Sequence, residues 1–319
     1  MRMETMHKNT TGTAISIHSP STDGLQTPRR STLATTFAMT LALGLGLSQE
    51  AHAQTVAAAA NVPVFYGDRA TLGTSTVRTY VQRVPNSPPV ALGVEFGAEL
   101  LPGLPPEPND GSNCWDVDED GTIELEHECV GGQERALFFP PEAAGTPIKW
   151  LLFNWDSHGH IPAGIYDSPH IDLHFFMQDY ISRNMIRPGP CGLVINCDDY
   201  QTAKIPVPAA YMPRDYIDID AIEARMGAHM VDPSSPELQP GGKFTKTFIY
   251  GHYNGHMTFY EPMIDLGYLL TQPNTCTPLK LPAAYETAGY YPTQYCMRYA
   301  AGRKIYTISL EGFVYRSAS

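Results

Sequence analysis

The sequence predicts a mainly β protein, with antiparallel sheets in a barrel-like or sandwich arrangement and a few short helices. Three observations favour this class. Short stretches rich in β-branched and aromatic residues recur along the chain, turn-forming residues separate them, and only 17% of the 319 residues are charged, against 28 Pro and 27 Gly. An α+β arrangement stays open, because two further segments have helical character.

Six segments are expected to be strands: 76–84, 89–96, 148–155, 244–251, 256–264 and 305–315. Asn254-Gly255 separates the fourth from the fifth and supplies the positive φ values of a two-residue turn. This turn predicts a hairpin with the facing pairs Tyr253–His256, His252–Met257 and Phe248–Glu261. His252 and Glu261 would then share one face of the hairpin, with His256 on the other.

Two segments are expected to be helices, Asp218–Met226 with its acidic start and a short one at Asp179–Met185. Residues 102–112 and 232–242 are rich in Pro and Gly and are expected to be loops. Neither has the length of an interdomain linker. We therefore expect one β-rich domain over residues 54–319.

Residues 1–53 have the features of a signal peptide. Arg29 and Arg30 precede an apolar run at 33–47, and Ala51-His52-Ala53 forms a small-x-small cleavage site. The run is shorter than the ~20 residues of a membrane span. We expect export to the periplasm or outside the cell without a stable membrane span; the arginine pair leaves the twin-arginine route open beside general secretion.

Cleavage would remove four basic and three acidic residues and change the net charge from −12 to −13. This acidic balance argues against nucleic-acid binding. All six cysteines remain, and an oxidising compartment favours their pairing. Six cysteines allow 15 pairings, and close spacing favours Cys114–Cys129, Cys191–Cys197 and Cys276–Cys296.

Four histidines lie within the segment WDSHGHIPAGIYDSPHIDLHFFM. His158 and His160 are two residues apart, so an extended chain would place both rings on one face, near one ion. Gly159 between them frees the backbone to bend.

Apolar and polar residues alternate in the second half of this segment. Its apolar positions are Ile171, Leu173 and Phe175, and its polar positions are His170, Asp172 and His174. This period predicts a strand with one polar face, on which His170 and His174 lie ~13–14 Å apart and so do not share an ion side by side. Asp172 could serve either histidine as ligand or as hydrogen-bond acceptor. A helix starting at Ser168-Pro169 is the alternative.

These residues predict a divalent-metal site completed by more distant side chains. The candidate ligands are His158, His160, His170, Asp172, His174, His229 and Glu261. Nitrogen and oxygen ligands without thiolate suit Zn, Mn, Fe or Cu. The alternative is that the imidazoles only hydrogen-bond to carboxylates such as Asp156, Asp167 and Asp172 in a polar interior.

Residues 114–129 form an acidic segment between two cysteines that begins like a calcium loop. Asp116, Asp118 and Asp120 match ligand positions 1, 3 and 5, Gly121 the sharp turn, and Thr122 the carbonyl ligand. His127 occupies position 12, where a calcium loop has a glutamate, so Glu128 would have to supply the last ligand from a shifted register. A solvated acidic loop closed by a disulfide is the alternative.

No phosphate-binding loop, nucleophile elbow or unpaired cysteine marks another active site. Tyrosines cluster near the carboxy terminus at 290, 291, 295 and 299, where they would pack in a core or line a small-molecule cavity. The chain thus leaves open whether it is an enzyme. A β-barrel ligand-binding or assembly module with structural histidines is the competing hypothesis.

The chain also resembles a family of exported bacterial proteins, classed as a domain of unknown function, over residues 64–316. Its most specific blocks are HGH at 158–160, PHxDxHF at 169–175, GxH at 227–229 and EPM at 261–263. The resemblance implies a β-rich domain and a ring-forming homo-oligomer. It places the seven candidate metal ligands on signature positions and makes the 114–129 loop an insertion.

Overall fold

Antiparallel pairing organises the described part of the chain, residues 62–319 of the computed structural model, into two large sheets and one small sheet. The predicted signal peptide, residues 1–53, lies outside the described residues. In chain order the strands are β1 (Val64–Leu72), β2 (Ser75–Gln82), β3 (Ala91–Gly97), β4 (Gln133–Phe138), β5 (Trp150–Asp156), β6 (His170–Phe176), β7 (Pro188–Cys191), β8 (Ile217–Glu223), β9 (Gly227–Val231), β10 (Lys246–Tyr253), β11 (His256–Asp265), β12 (Thr275–Pro278), β13 (Gly289–Tyr291), β14 (Gln294–Ala300), β15 (Ile305–Glu311) and β16 (Val314–Arg316).

Both large sheets are open. The six-stranded sheet has the order β1-β2-β3-β15-β14-β12, and the seven-stranded sheet has the order β4-β5-β6-β11-β10-β9-β8. Within residues 62–319 neither closes into a barrel, so the arrangement is sandwich-like. The mainly β prediction is confirmed.

The helices are short: α1 (Tyr180–Asn184), α2 (Cys197–Ala203), α3 (Leu266–Leu270), and 3-10 turns at Ala98–Gly103, Pro141–Ala143, Ala209–Tyr211 and Pro236–Leu238. The predicted helix at 179–185 is confirmed as α1, which Asp179 caps by accepting from the Ser182 N–H.

The second predicted helix, at 218–226, is wrong. Most of this segment lies in β8, an edge strand that pairs with β9. Ile217 and Ile219 alternate with aspartates there, and pairing to a neighbouring strand overrides the local helix-forming tendency.

The two large sheets bury a shared core. Phe96 of the first sheet packs edge-on against Phe153 of the second, with ring centroids 6.3 Å apart. On β6 the apolar residues of the alternating pattern are fully buried in this core: Ile171, Leu173 and Phe175. The polar residues of β6 therefore point away from the first sheet, as the period of two predicts.

The β10–β11 hairpin contains a bulge that the sequence does not reveal. Two predicted pairs, Tyr253–His256 and His252–Met257, are present. The register then shifts between Gly251 and His252, so Glu261 faces Ile249 instead of Phe248. An extra residue reverses the side-chain faces beyond it. The prediction that His252 and Glu261 share a face is therefore wrong, as is the placement of His256 on the face opposite to Glu261.

Three disulfides join the predicted partners: Cys114–Cys129, Cys191–Cys197 and Cys276–Cys296. Such bonds are typical of proteins from oxidising compartments. Among the described residues, no helix is both long and apolar enough to cross a membrane.

Leu173→Ala is expected to lower the free energy of unfolding by about 2–5 kcal/mol, because a fully buried side chain leaves a cavity between the sheets. Urea denaturation measures this change. The matched control is Leu270→Ala, whose side chain is 58% exposed and which should alter stability by less than about 0.5 kcal/mol. Equal effects of the two substitutions would contradict the assignment of Leu173 to the shared core.

Candidate metal centre

A cavity of about 520 Å³ lies on the polar face of the seven-stranded sheet. Strand residues form its floor, and its walls include parts of the disulfide-closed segment 114–129 and of the segment 158–167. No Lys or Arg of residues 62–319 lines this cavity. The acidic side chains that face it therefore have imidazoles as their basic neighbours.

The first group of potential ligands consists of Asp156, His160, His170 and Asp172, whose nearest side-chain atoms lie within 4.8 Å of one another. β5 and β6 pair Asp156 directly with His170, and Asp172 follows two residues later on the same face. His160 enters from the loop before β6. The Asp172 Oδ2 atom lies 3.2 Å from His160 Nε2 and 3.4 Å from His170 Nε2.

The second group consists of His174, His229 and Glu261, again within 4.8 Å. These residues come from β6, β9 and β11. The Glu261 carboxylate lies 3.3 Å from His174 Nε2 and 3.8 Å from His229 Nε2. On β10, the strand between β11 and β9, Gly251 pairs with His229. A Cβ at Gly251 would lie 2.1 Å from the Phe259 ring. The glycine thus makes room for Phe259, whose ring centroid is 5.1 Å from that of His229.

All four histidines of the two groups make the same kind of hydrogen bond at Nδ1. Each Nδ1 faces a carbonyl oxygen: His160 with Ile161 O at 2.7 Å, His170 with Ser168 O at 2.6 Å, His174 with Asn154 Oδ1 at 3.1 Å and His229 with Ala221 O at 3.2 Å. A carbonyl oxygen only accepts, so each Nδ1 carries the hydrogen. Each Nε2 then points toward a carboxylate, the orientation that metal-binding histidines adopt. Against the opposing effect of desolvation, Asp172 raises the pKa of His160 and His170, whereas burial lowers the pKa of His174 and His229 and so favours their neutral form.

Several buried polar atoms of these groups have no hydrogen-bond partner: His170 Nε2, Asp172 Oδ1, His174 Nε2 and Glu261 Oε2. The two imidazole nitrogens have carboxylate oxygens within 3.4 Å, but not in hydrogen-bonding geometry. Ligand atoms 2.0–2.1 Å from a tetrahedral ion lie about 3.3–3.4 Å apart. The His170–Asp172 and His174–Glu261 distances of 3.4 and 3.3 Å match this separation.

The two groups differ in their electrostatics. Burial acts to raise the pKa of Asp172, but the neighbouring imidazoles of His170 and His160 outweigh it and hold that pKa well below its usual range. In the second group, burial and the charge of Asp172 raise the pKa of Glu261 well above its usual range. Burial also lowers the pKa of His174, so its imidazole is neutral, the form that binds metals.

Two further carboxyl groups show the crowding of acidic groups in the cavity. Burial and the nearby Asp172 raise the pKa of Asp156 to about 7. Burial, with a contribution from Asp156, raises the pKa of Glu223 on β8 to about 8. Both groups would be ionised more readily beside a bound cation.

His158 does not join either group. Its side chain is half exposed, and its Nδ1 lies 3.8 Å from Glu126 Oε1 in the cavity wall. Gly159 has a positive φ of 73°, which breaks the extended geometry on which the pairing of His158 with His160 relied. The other six predicted ligands are divided between the two groups, with His170 and His174 apart, as the strand interpretation predicted.

Sequence reasoning named Asp156 only as a hydrogen-bond acceptor for the imidazoles and missed Asn154 and Glu223 as cavity residues. Asp156 and Asn154 alternate with the buried Phe153 and Trp155, so the period of β5 contains the signal for the first two. Glu223 had no such signal, because its segment was expected to be helical.

The acidic loop brings three of the predicted calcium ligands together: Asp116, Asp118 and Glu128. Glu128 is buried, and its carboxylate accepts from the backbone N–H groups of Val117 and Glu124 across the loop. The hydrogen bond from Glu124 is the main cause of a lowered pKa at Glu128. The other two predicted ligands, Asp120 and Thr122, are exposed and bond to each other through the Thr122 N–H.

A second cavity, of about 710 Å³, lies apart from both groups and is lined in part by Tyr253, His256, Tyr285 and Tyr291. Of the clustered carboxy-terminal tyrosines, Tyr291 lines this cavity and Tyr295 is buried in the shared core. A further cluster, Cys276 and Cys296 with Glu311, offers no thiolate because its cysteines are joined in a disulfide.

Fold and site together define an antiparallel β protein with a histidine- and carboxylate-lined cavity on the outer face of one sheet. Comparisons of the chain with protein-family models, with curated proteins and with solved structures found no match. The site's chemistry therefore carries the functional argument. His174, His229 and Glu261 would hold an ion by three ligands, and an ion with an open position would supply Lewis-acid chemistry in the cavity.

For the acidic loop, we expect calcium at 10 mM to raise the melting temperature, by an amount equivalent to about 1–3 kcal/mol for a typical extracellular site. Thermal melting with and without calcium measures the shift. Asp118→Asn should abolish the shift, whereas Asp215→Asn, an exposed acidic residue outside the loop, should not. An identical melting temperature with and without calcium would refute this prediction.

Proposed function

We propose that this protein is exported and binds a divalent transition metal, Zn, Mn, Fe or Cu, in the cavity on the seven-stranded sheet. One observation carries the proposal. Four histidines from three different parts of the chain each donate Nδ1–H to a carbonyl oxygen and direct Nε2 toward a carboxylate. This is the arrangement by which proteins orient imidazoles around a metal.

The alternative is a polar interior in which the histidines only hydrogen-bond. In that case each buried imidazole would have both nitrogens satisfied, because an unmade bond costs about 1–3 kcal/mol. His170 and His174 are 0% and 2% exposed at the side chain, yet neither Nε2 is hydrogen-bonded. An ion bound in each group would satisfy the Nε2 atom of the histidine in that group. This difference favours metal binding over a purely structural role.

Export is supported by the three disulfides and by the signal-peptide features of residues 1–53. The resemblance to exported bacterial proteins, and the ring-forming homo-oligomer that it implies, stay predictions. So does calcium binding by the acidic loop. A cavity of about 520 Å³ also has the volume for a small-molecule ligand beside the ion.

Protein purified without a histidine tag is expected to contain at least one equivalent of a transition metal, measured by elemental analysis. A chelator should lower its melting temperature, because bound metal at 100 times its Kd stabilises the fold by about 2.7 kcal/mol. Protein that contains no metal and whose melting temperature is the same with and without a chelator would refute the proposal.

Two histidine variants provide the matched comparison. His229→Ala removes a ligand candidate that is 12% exposed and should reduce metal content, whereas His256→Ala removes an exposed imidazole paired with Glu286 and should not. Equal metal content in both variants would contradict the assignment of His229.

Asn154→Ala tests the orientation of His174 without removing a ligand. The Asn154 amide accepts from His174 Nδ1 and is itself fixed by donating to Gly131 O at 2.6 Å. Loss of such a partner typically weakens metal affinity 10–100-fold. Competition with a chromophoric chelator measures the affinity, and Asn274→Ala, an exposed asparagine, is the control. Unchanged affinity in Asn154→Ala would contradict the role of this residue.

A further inference from the structure

The two ligand groups occupy different positions on the same sheet. His170 and His174 are four residues apart on β6, which separates their Cα atoms by about 13 Å. The first group extends from β6 toward β5, and the second extends from β6 toward β11 and β9. Because the distance from a metal ion to an imidazole nitrogen is about 2 Å, one ion cannot bind His170 in the first group and His174 in the second at the same time.

Each group is nevertheless complete enough to bind an ion. The first offers two imidazoles and two carboxylates, and the second offers two imidazoles and one carboxylate. Both contain buried atoms without a hydrogen-bond partner. Three or four nitrogen and oxygen ligands suffice for the transition metals considered above.

The charges of the cavity support two ions. Six carboxyl groups line it, Glu126, Asp156, Asp167, Asp172, Glu223 and Glu261, whereas no Lys or Arg of residues 62–319 does. Buried carboxylates are unfavourable without a partner of opposite charge. Three of the six belong to the ligand groups, Asp156 and Asp172 to the first and Glu261 to the second, so a divalent ion in either group would have a carboxylate partner.

We infer that the cavity binds two divalent ions at once, one in the first group and one in the second. The inference rests on the proposed metal-binding function and adds its stoichiometry. Asp172 and His174 are the nearest members of the two groups along β6, about 6.5–7 Å apart at Cα. The two ions would therefore lie close together in one cavity.

The test is the number of ions bound per chain when the intact, disulfide-bonded protein is titrated with Zn²⁺ and then with Mn²⁺. Wild type should bind two ions in the cavity. His160→Ala, which alters only the first group, and His229→Ala, which alters only the second, should each retain one. Both side chains are less buried than the other histidines of their groups, so these variants should fold; circular dichroism checks this.

Two further variants distinguish metal bound in the cavity from metal bound at other sites. All titrations are repeated with Asp118→Asn, which removes one of the three clustered carboxylates of the acidic loop, and with His256→Ala as a histidine control. Anomalous scattering from crystals soaked in Zn²⁺ should show two peaks over the polar face of β6.

Three outcomes would overturn the inference. A stoichiometry of one, lost in both His160→Ala and His229→Ala, would mean a single ion and would leave metal binding itself intact. Two ions unaffected by either substitution would place the ions elsewhere. No bound metal in any protein would refute both the inference and the proposed function.

Discussion

The two-residue period of β6 is the constraint on which the rest of the structure depends. This strand lies centrally in the seven-stranded sheet, between β5 and β11. One of its faces fills the core shared by the two sheets, and the other supplies Asp172 and His174 to the cavity and His170 to the first ligand group. A shift of register by one residue would bury these polar groups in the core and expose the apolar ones. Core packing therefore fixes the positions of the ligands.

Much of this could be predicted from the sequence because the relevant interactions are local. Alternation within β6 indicated both its conformation and its polar face, and close spacing indicated the three disulfides. The turn at Asn254-Gly255 correctly joined two strands. In each case, residues a few positions apart determine the outcome, so a single sequence contains the necessary information.

The errors arose where distant pairing or a local backbone change decides the geometry. Gly159 adopts a left-handed conformation that separates His158 from His160, and a glycine permits such a bend without requiring it. The bulge beside His252 and the strand conformation of β8 depend on neighbouring strands. The order of seven strands, which brings His229 to Glu261 across Gly251, is likewise not contained in any short segment.

The insertion of β11 between β6 and β10 has a consequence for biogenesis. A nascent chain emerges amino-terminus first, and the first group lies entirely within residues 156–172. The second group needs β11, which is synthesised almost ninety residues after β6 begins and must enter the sheet at the open edge of β6. Pairing across such a long sequence separation has a larger loop-closure entropy cost than pairing within a hairpin. The second half of the cavity floor therefore depends on a strand pairing of much longer sequence separation than the β5–β6 pairing beneath the first half.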